Sequence, residues 1–338
     1  MTTLLITGGA GFIGSNLVRM LARQGQYNVI ILDALTYAGN LENLDGVIDG
    51  SAVKFVHGSI TDVDCLAKLF AENTIDAVLH LAAESHVDRS IASAAPFVET
   101  NVTGTLRLLE AARAAAIKRF VHVSTDEVYG TLGPDDPAFT EETPLQPNSP
   151  YSASKAASDM LVRAFVHTHG MDCVTTRCSN NSGPYQFPEK LIPLMTLNAL
   201  GGEPLPVYGD GRQVRDWLHV VDHCRGIMLA LERGRMGEVY NFGGYGERFN
   251  IDIVKAILAH TGADESLIRY VTDRPGHDRR YAINPHKSSS ELGWQPLHSV
   301  EEGLAATVDW YRTNATWCEN VRSGAYMEYY AKHYGTSL

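Results

Sequence analysis

Residues 4–14, "LLITGGAGFIG", decide the fold. Leu4, Leu5 and Ile6 lead into Thr7 as a buried strand would. Glycine then recurs at 8, 11 and 14, and Phe12 to Ala22 takes helical spacing. Glycines between a strand and a helix permit a tight turn and let backbone N–H groups approach a pyrophosphate at the helix N-terminus. A turn that only packs helix on strand would look the same, so a second residue is needed. Asp33 supplies it, closing the apolar run "VIILDAL" 19 positions after Gly14. An acid there meets the ribose 2′-hydroxyl of NAD. No Arg or Lys follows at once to receive a 2′-phosphate, so the spacing predicts NAD rather than NADP.

Outward from this turn, short β-branched runs alternate with amphipathic segments. Strands are predicted at Leu4–Thr7, Val29–Leu32, Val53–Val56, Ala77–Leu81, Phe120–Ser124 and Cys173–Arg177. Between them, "FVETNVTGTLRLLEAARAA" repeats Val98, Val102, Leu106 and Leu109 at helical spacing. That rhythm means an α/β protein with a Rossmann-type, doubly wound parallel sheet. Near residue 180 it breaks into Pro- and Gly-rich segments, and "EVYNFGG" at 238–244 looks like a further strand. The expected organisation is an NAD-binding domain over 1–180 with a return segment near 215–244. A smaller, mixed α/β substrate-binding domain over 181–338 is interleaved with it.

Composition excludes several classes. The 338 residues are 44% hydrophobic and 20% charged, with net charge −11 and both signs mixed along the chain. Nothing basic is left over to neutralise nucleic-acid phosphates, so an anionic ligand needs a local basic pocket. Five scattered cysteines without a CxxC pair read as reduced thiols. No apolar run is long enough for a membrane span, and the first strand starts at once, with no room for a signal peptide. The expectation is a cytoplasmic protein that binds neither membrane nor nucleic acid. His219 with His223, and His167 with His169, lack a partner Cys or acid, so no metal site is expected.

The chemistry is concentrated at the end of the fifth predicted strand. "HVSTDEVYG", residues 122–130, delivers Thr125, Asp126 and Glu127 where ligands of an α/β sheet sit. Downstream, "SPYSASK" places Tyr151 and Lys155 four apart, on one helix face. A lysine ammonium there should lower the tyrosine pKa and make a base that takes a hydroxyl proton as hydride leaves the same carbon. A surface tyrosine with a solvated lysine fits YxxxK equally well; the glycine turn and Asp33 tip the balance.

These motifs together resemble the extended short-chain dehydrogenase/reductases that act on nucleotide sugars. Thr125 fills the family's strand-five Ser/Thr position. Acids at the next two positions resemble its dehydratase branch, whose members convert a nucleoside-diphosphate glucose, here most closely dTDP-glucose, to the 4-keto-6-deoxy sugar nucleotide. The resemblance runs to about residue 300, through "DALTYAGNLENL", "LAAESHVDRSI", "GPYQFPEKLIPL", "LPVYGDGRQVRDWLHV" and "DRPGHDRRYAI". It implies that Tyr151 and Lys155 serve C4 oxidation, Glu127 takes the C5 proton and protonated Asp126 gives one to the departing 6-hydroxyl. It implies NAD contacts at Gly8, Gly11, Phe12, Ile13, Gly14, Asp33, Thr36, Ser59, Ile60, Ala82, Thr100, Tyr151 and Lys155.

For the substrate it implies Ser85 at the glucosyl group with Thr125, and Asn101 and Asn181 at the sugar or its phosphates. Glu189, Lys190, Leu191, Pro206 and Tyr208 should surround base and ribose, while Arg215, Asn250, Arg274 and His277 neutralise and orient the diphosphate. It also implies a homodimer through residues 96–116 and 151–169. Ser59, Ser182 and Gly246 depart from the family pattern. A 4-epimerase or decarboxylase on the same scaffold would leave both acids idle, and an NAD-sensing module would need neither Tyr151 nor Lys155.

Overall fold

A computed structural model describes residues 1–323. The expected substrate-binding unit therefore extends, at 324–338, outside the described residues. The chain begins with β1 (Thr2–Thr7), the helix Phe12–Gln24 and β2 (Tyr27–Asp33), followed by β3 (Val53–His57), β4 (Ala77–His80), β5 (Arg119–Thr125) and β6 (Cys173–Cys178). Then come β7 (Asn180–Ser182), β8 (Leu205–Tyr208), β9 (Val214–His219), β10 (Val239–Phe242), β11 (Glu247–Phe249) and β12 (Ile268–Val271).

Seven strands form one parallel sheet in the order β10-β6-β5-β4-β1-β2-β3. The strand order reverses beside β1, whose neighbours are β2 and β4, and ligands of such sheets bind at the carboxyl ends there. The strands are near-continuous apolar runs because helices cover both faces: Leu4, Leu5, Ile6, Val78, Leu79, Phe120 and Val121 are all buried.

After β6 the chain leaves this sheet. β9 pairs with β7 and β11, and β8 pairs with β12. The helices Leu191–Gly201, Asn250–Thr261 and Val300–Thr313 pack a separate core of Ile192, Met195, Leu205, Trp217, Val254, Ile257 and Val308. In between, the helix Val220–Arg233 packs on Phe12–Gln24, and β10 adds to the edge of the large sheet beside β6. Within residues 215–244, the part belonging to the large sheet thus begins at Val220, while β9 belongs to the smaller one.

One predicted stripe is displaced in part. Phe97, Asn101, Gly104, Thr105, Leu108, Leu109 and Ala112 are the buried side of the segment that starts near residue 97, whereas Val98 is 52% exposed and Val102 and Leu106 are half-buried. Of the predicted stripe Leu109 alone is buried; the core face keeps regular helical spacing but lies one residue around from Val98, Val102 and Leu106, and it includes the polar Asn101 and Thr105 and the small Gly104 that an apolar count passes over. The segment is π-helical over Val98–Gly104 and α-helical over Thr105–Ala114.

Candidate active site

Two clefts, of about 1500 and 890 Å³, open at the carboxyl edge of the sheet. Gly8, Gly11, Phe12, Ile13, Gly14, Asp33, Thr36, Ser59, Ile60, Ala82, Ser85, Thr125, Asp126, Tyr151, Lys155 and Asn181 line the first. Leu191, Pro206, Tyr208, Arg215, Asn250, Arg274 and His277 line the second. Glu127, Glu189 and Lys190 stand on both.

The first cleft has the form of a dinucleotide cradle. Gly8 has φ +72°, and a Cβ on it would lie 2.7 Å from the Ala82 nitrogen; a Cβ on Gly14 would lie 2.1 Å from the Gly8 carbonyl oxygen. Gly11 differs: a Cβ there would meet nothing closer than the Gly8 carbonyl at 3.4 Å. Gly11 also caps the helix Phe12–Gln24 without a side-chain bond, so its first N–H groups face the cleft with no side chain in the way. These features fit a pyrophosphate. Asp33 accepts from the Ala10 and Leu35 N–H groups at 2.8 and 2.9 Å, which fixes its carboxylate at the ribose end. Ser59, in place of the family's acid, lines the cleft with its hydroxyl 2.8 Å from that of Thr61.

At the other end the strand delivers its acids through a cap. Thr125 Oγ1 accepts the Glu127 N–H at 3.3 Å, starting the 3-10 turn Asp126–Tyr129. Asp126 is 2% exposed, and its Oδ2 has no hydrogen-bond partner among the described residues. Burial, then the charges of Glu127 and Asp216, raise its pKa well above the carboxylate range. Glu127 is raised by burial too, but Lys190, Arg274 and Arg215 pull against that. Both carboxyls are thus pushed toward the protonated form, Asp126 the further of the two.

Tyr151 and Lys155 sit one helical turn apart on Pro150–His169, a helix started by a Ser149–Ser152 capping box. The lysine Nζ donates to the Val123 carbonyl at 2.8 Å. The expected lowering of the tyrosine pKa is not found in the free protein: burial, then Glu127, raise it well above its usual value. Burial dominates, and the ammonium is turned toward the Val123 carbonyl and itself pushed down by burial to about 8.

The second cleft gathers three cations, Lys190, Arg215 and Arg274, together with the carboxyls of Asp88, Glu127 and Glu189. Arg215 stacks on Tyr281 at 4.3 Å and donates to the Asp278 carbonyl at 2.9 Å. Arg274 pairs with Asp88 at 2.9 Å, and Tyr208 donates to the same carboxylate at 3.2 Å. Asn250 Oδ1 is buried without a partner among the described residues. His277 contributes no charge: burial, then Arg274 and Arg215, push it down to about 4, so it can orient an anion but not neutralise it. Glu189, beside Arg89 and His86, is pushed up by burial to about 7.

Two expected site positions, Thr100 and Asn101, lie outside the clefts. Asn101 Oδ1 accepts the Glu84 N–H at 2.9 Å and its Nδ2 donates to Ser154 at 2.8 Å, so its amide is spent bracing the segment before Ser85. Ser182 and Gly246 line neither cleft either, and Gly246 instead donates its N–H to Asp216 at 2.6 Å. Asn181 does face the first cleft, but its Oδ1 meets His223 Nδ1 at 3.0 Å and its Nδ2 donates to the Ser179 carbonyl. The clefts also recruit residues the sequence did not single out, among them Cys178, Gln186, Phe187, Trp217 and Tyr281. Cys178 could have been found, because it pairs in register with Thr125. Among the described residues, no three His, Cys, Asp or Glu side chains group to hold a metal ion, and no helix is long and apolar enough to cross a membrane.

Comparison with known proteins decides the family. The family model for GDP-mannose 4,6 dehydratase matches residues 5–307. A dTDP-glucose 4,6-dehydratase of Xanthomonas campestris pv. campestris (strain B100) is 57% identical, over 96% of this chain and 97% of that protein. The chain belongs to the dTDP-glucose 4,6-dehydratase family. Another dehydratase of that family, from Escherichia coli strain K12, is 50% identical over 98% of both chains. The dehydratase DesIV of Streptomyces venezuelae, solved with NAD bound, superimposes with a TM-score of 0.91 at 53% identity, covering 95% of this chain and all of that one. The scaffold is shared more widely: the UDP-glucose 4-epimerase of Thermotoga maritima gives a TM-score of 0.87 at 33% identity, covering 93% of this chain and all of that one. Dehydratases and epimerases thus share the Rossmann-type sheet, while the higher identities lie with the dehydratases.

Proposed function

We propose that this chain is a hydro-lyase that converts dTDP-glucose to the 4-keto-6-deoxy sugar nucleotide with NAD as cofactor. The observation that carries this is the unequal setting of Asp126 and Glu127, one buried and pushed toward the protonated form, the other opposed in that shift by three cations. An enzyme that only oxidised or epimerised C4 would have no use for the pair.

In this reading Tyr151 takes the C4 hydroxyl proton while Thr125 orients that hydroxyl. NAD, when bound, supplies the acceptor for the C4 hydride and later returns it to C6, and its cationic ring favours the tyrosine phenolate. The C4 ketone acidifies the C5 hydrogen, which Glu127 removes. Asp126 gives its proton to the leaving 6-hydroxyl, so water departs rather than hydroxide. Glu127 then returns its proton to C5, and passing the proton that Tyr151 took from C4 on to Asp126 restores the starting state. Arg215, Arg274 and Lys190 hold the diphosphate and nucleoside, guanidinium being suited to bidentate phosphate contact.

The organisation that supports this is a cofactor unit over 1–180, re-entered by the segment near 215–244, with a sugar-nucleotide unit over 181–338. The protein works in the cytoplasm as a homodimer through residues 96–116 and 151–169. Support for that surface is a stripe of Ala153, Ala157, Met160, Leu161 and Ala164 left exposed or half-buried beside Val98, Val102 and Leu106.

Mass spectrometry after incubation with dTDP-, UDP-, GDP- and ADP-glucose tests the reading. Loss of one water from dTDP-glucose is expected. A product of unchanged mass and altered stereochemistry would make the enzyme an epimerase instead.

A further inference from the structure

Beneath the Tyr151–Lys155 pair lies a buried polar network that the reaction as described does not use. Asp159 follows Lys155 by one helical turn and is 3% exposed. Its Oδ2 accepts from Arg177 Nε at 2.9 Å, and its Oδ1 lies 3.2 Å from His122 Nε2. Ser158, between them on the helix, donates to the Lys155 carbonyl at 2.7 Å and meets the same His122 nitrogen at 3.2 Å. His122 directly precedes Val123, whose carbonyl holds the Lys155 ammonium at 2.8 Å. Farther on, Arg177 donates to Tyr129 Oη at 2.9 Å, and Tyr129 donates to Asn241 at 2.9 Å.

The network thus ties the catalytic helix to β5, β6 and β10, at the point of β5 that anchors Lys155. Buried charge of this kind is weak evidence for stability, since apolar residues of similar volume often serve a core as well. Two cations, Lys155 and Arg177, share the single carboxylate of Asp159 here. His122 adds no charge, because burial, then Lys155, push it down to about 4. Its Nδ1 has no partner among the described residues, so the neutral ring carries its proton on Nε2, which bonds Ser158 Oγ at 3.2 Å with Asp159 Oδ1 at the same distance.

We propose that Asp159 is a positioning residue for the dehydratase reaction: bridging His122 and Arg177, it holds the Lys155 ammonium in place and charged beneath Tyr151. The inference rests on the proposed activity. Lys155 is faced from its own helix by Tyr151 and Asp159, from β4 by His80, from β5 by His122, and from β6 by Cys178, while Arg177 lies on the far side of Asp159; Asp126 and Glu127 stand beyond Tyr151. Burial would raise the Asp159 carboxyl, but Arg177 and His122 hold it at about 2, so it remains ionised through the working pH range. Among the groups facing Lys155, that makes it the fixed negative charge with no part in the chemistry. Removing it should let Lys155 lose its proton at lower pH.

The test is the pH profile of kcat on dTDP-glucose for the wild type, Asp159→Asn, and the pair Asp159→Asn with Arg177→Gln. The pair removes both charges, so no guanidinium is left buried alone. Wild-type turnover establishes the parent reading independently; without it, that reading fails first. Given turnover, the alkaline limb of both variants is expected about one pH unit below that of the wild type, with KM within about threefold and NAD still bound. An unmoved limb in either folded variant would overturn the proposal. So would failure of both variants to bind NAD, which would give the network a role in folding alone.

Discussion

Asp126 and Glu127 are consecutive in the chain but open onto different spaces: Asp126 lines only the dinucleotide cleft, while Glu127 stands on the wall it shares with the substrate cleft. The 3-10 turn capped by Thr125 splays the two carboxyls apart. Asp126→Asn keeps a neutral group in the buried position, so the fold should persist, yet the amide is a poor acid. Its kcat for water loss should fall about 100-fold or more. Steady-state assays of dTDP-glucose consumption, with NAD content as the control, check this.

Asp33 has two duties, and its variant should show both. Its carboxylate holds the Ala10 N–H of the glycine turn and faces the ribose end of the cleft. Asp33→Ala is expected to weaken NAD binding at least tenfold and to narrow the preference for NAD over NADP. Equilibrium dialysis of both nucleotides measures it; an unchanged preference would remove Asp33 from cofactor selection.

Lys155 makes stability and activity pull in opposite directions. Burial lowers its folded pKa from 10.5 to about 8. The buried ammonium therefore opposes folding fully below about pH 8, and that penalty fades as pH rises toward 10.5. At about 1.4 kcal/mol per pH unit, the gap bounds the penalty at about 3 kcal/mol. Lys155→Met should be inactive and yet have the higher Tm at pH 7, with its advantage shrinking above pH 8. Thermal melts across that range decide it, and a variant less stable at every pH would contradict it.

How much of this was legible in the chain depended on locality. The glycine turn with Asp33, and Tyr151 with Lys155, are short-range patterns that strand–turn–helix and i,i+4 spacing make legible, and all of them line the first cleft. Thr100 and Asn101 fall in the π-helical stretch, whose wider turn no residue spacing announced, and they line neither cleft. The pKa of Tyr151 could not be read from its lysine alone, because Glu127 reaches it only through the fold. The same holds for Asp159, an ordinary-looking helix acid until β5 and β6 bring His122 and Arg177 to it.

The contact of Arg215 with the diphosphate should reveal itself through salt. Arg215 is buried and its guanidinium faces the substrate cleft. Arg215→Lys keeps the charge but loses planar, bidentate contact. KM for dTDP-glucose should rise about tenfold, with a smaller change in kcat. Kinetics at two ionic strengths check it; an unchanged KM would move the diphosphate away from Arg215.

The proposed reaction turns on Glu127 removing the C5 proton between two hydride transfers. A single turnover of Glu127→Gln with dTDP-glucose, following cofactor absorbance and product mass together, tests that step alone. Reduced cofactor should accumulate while no water is lost. A product lighter by one water, formed at the wild-type rate, would take the C5 proton away from Glu127.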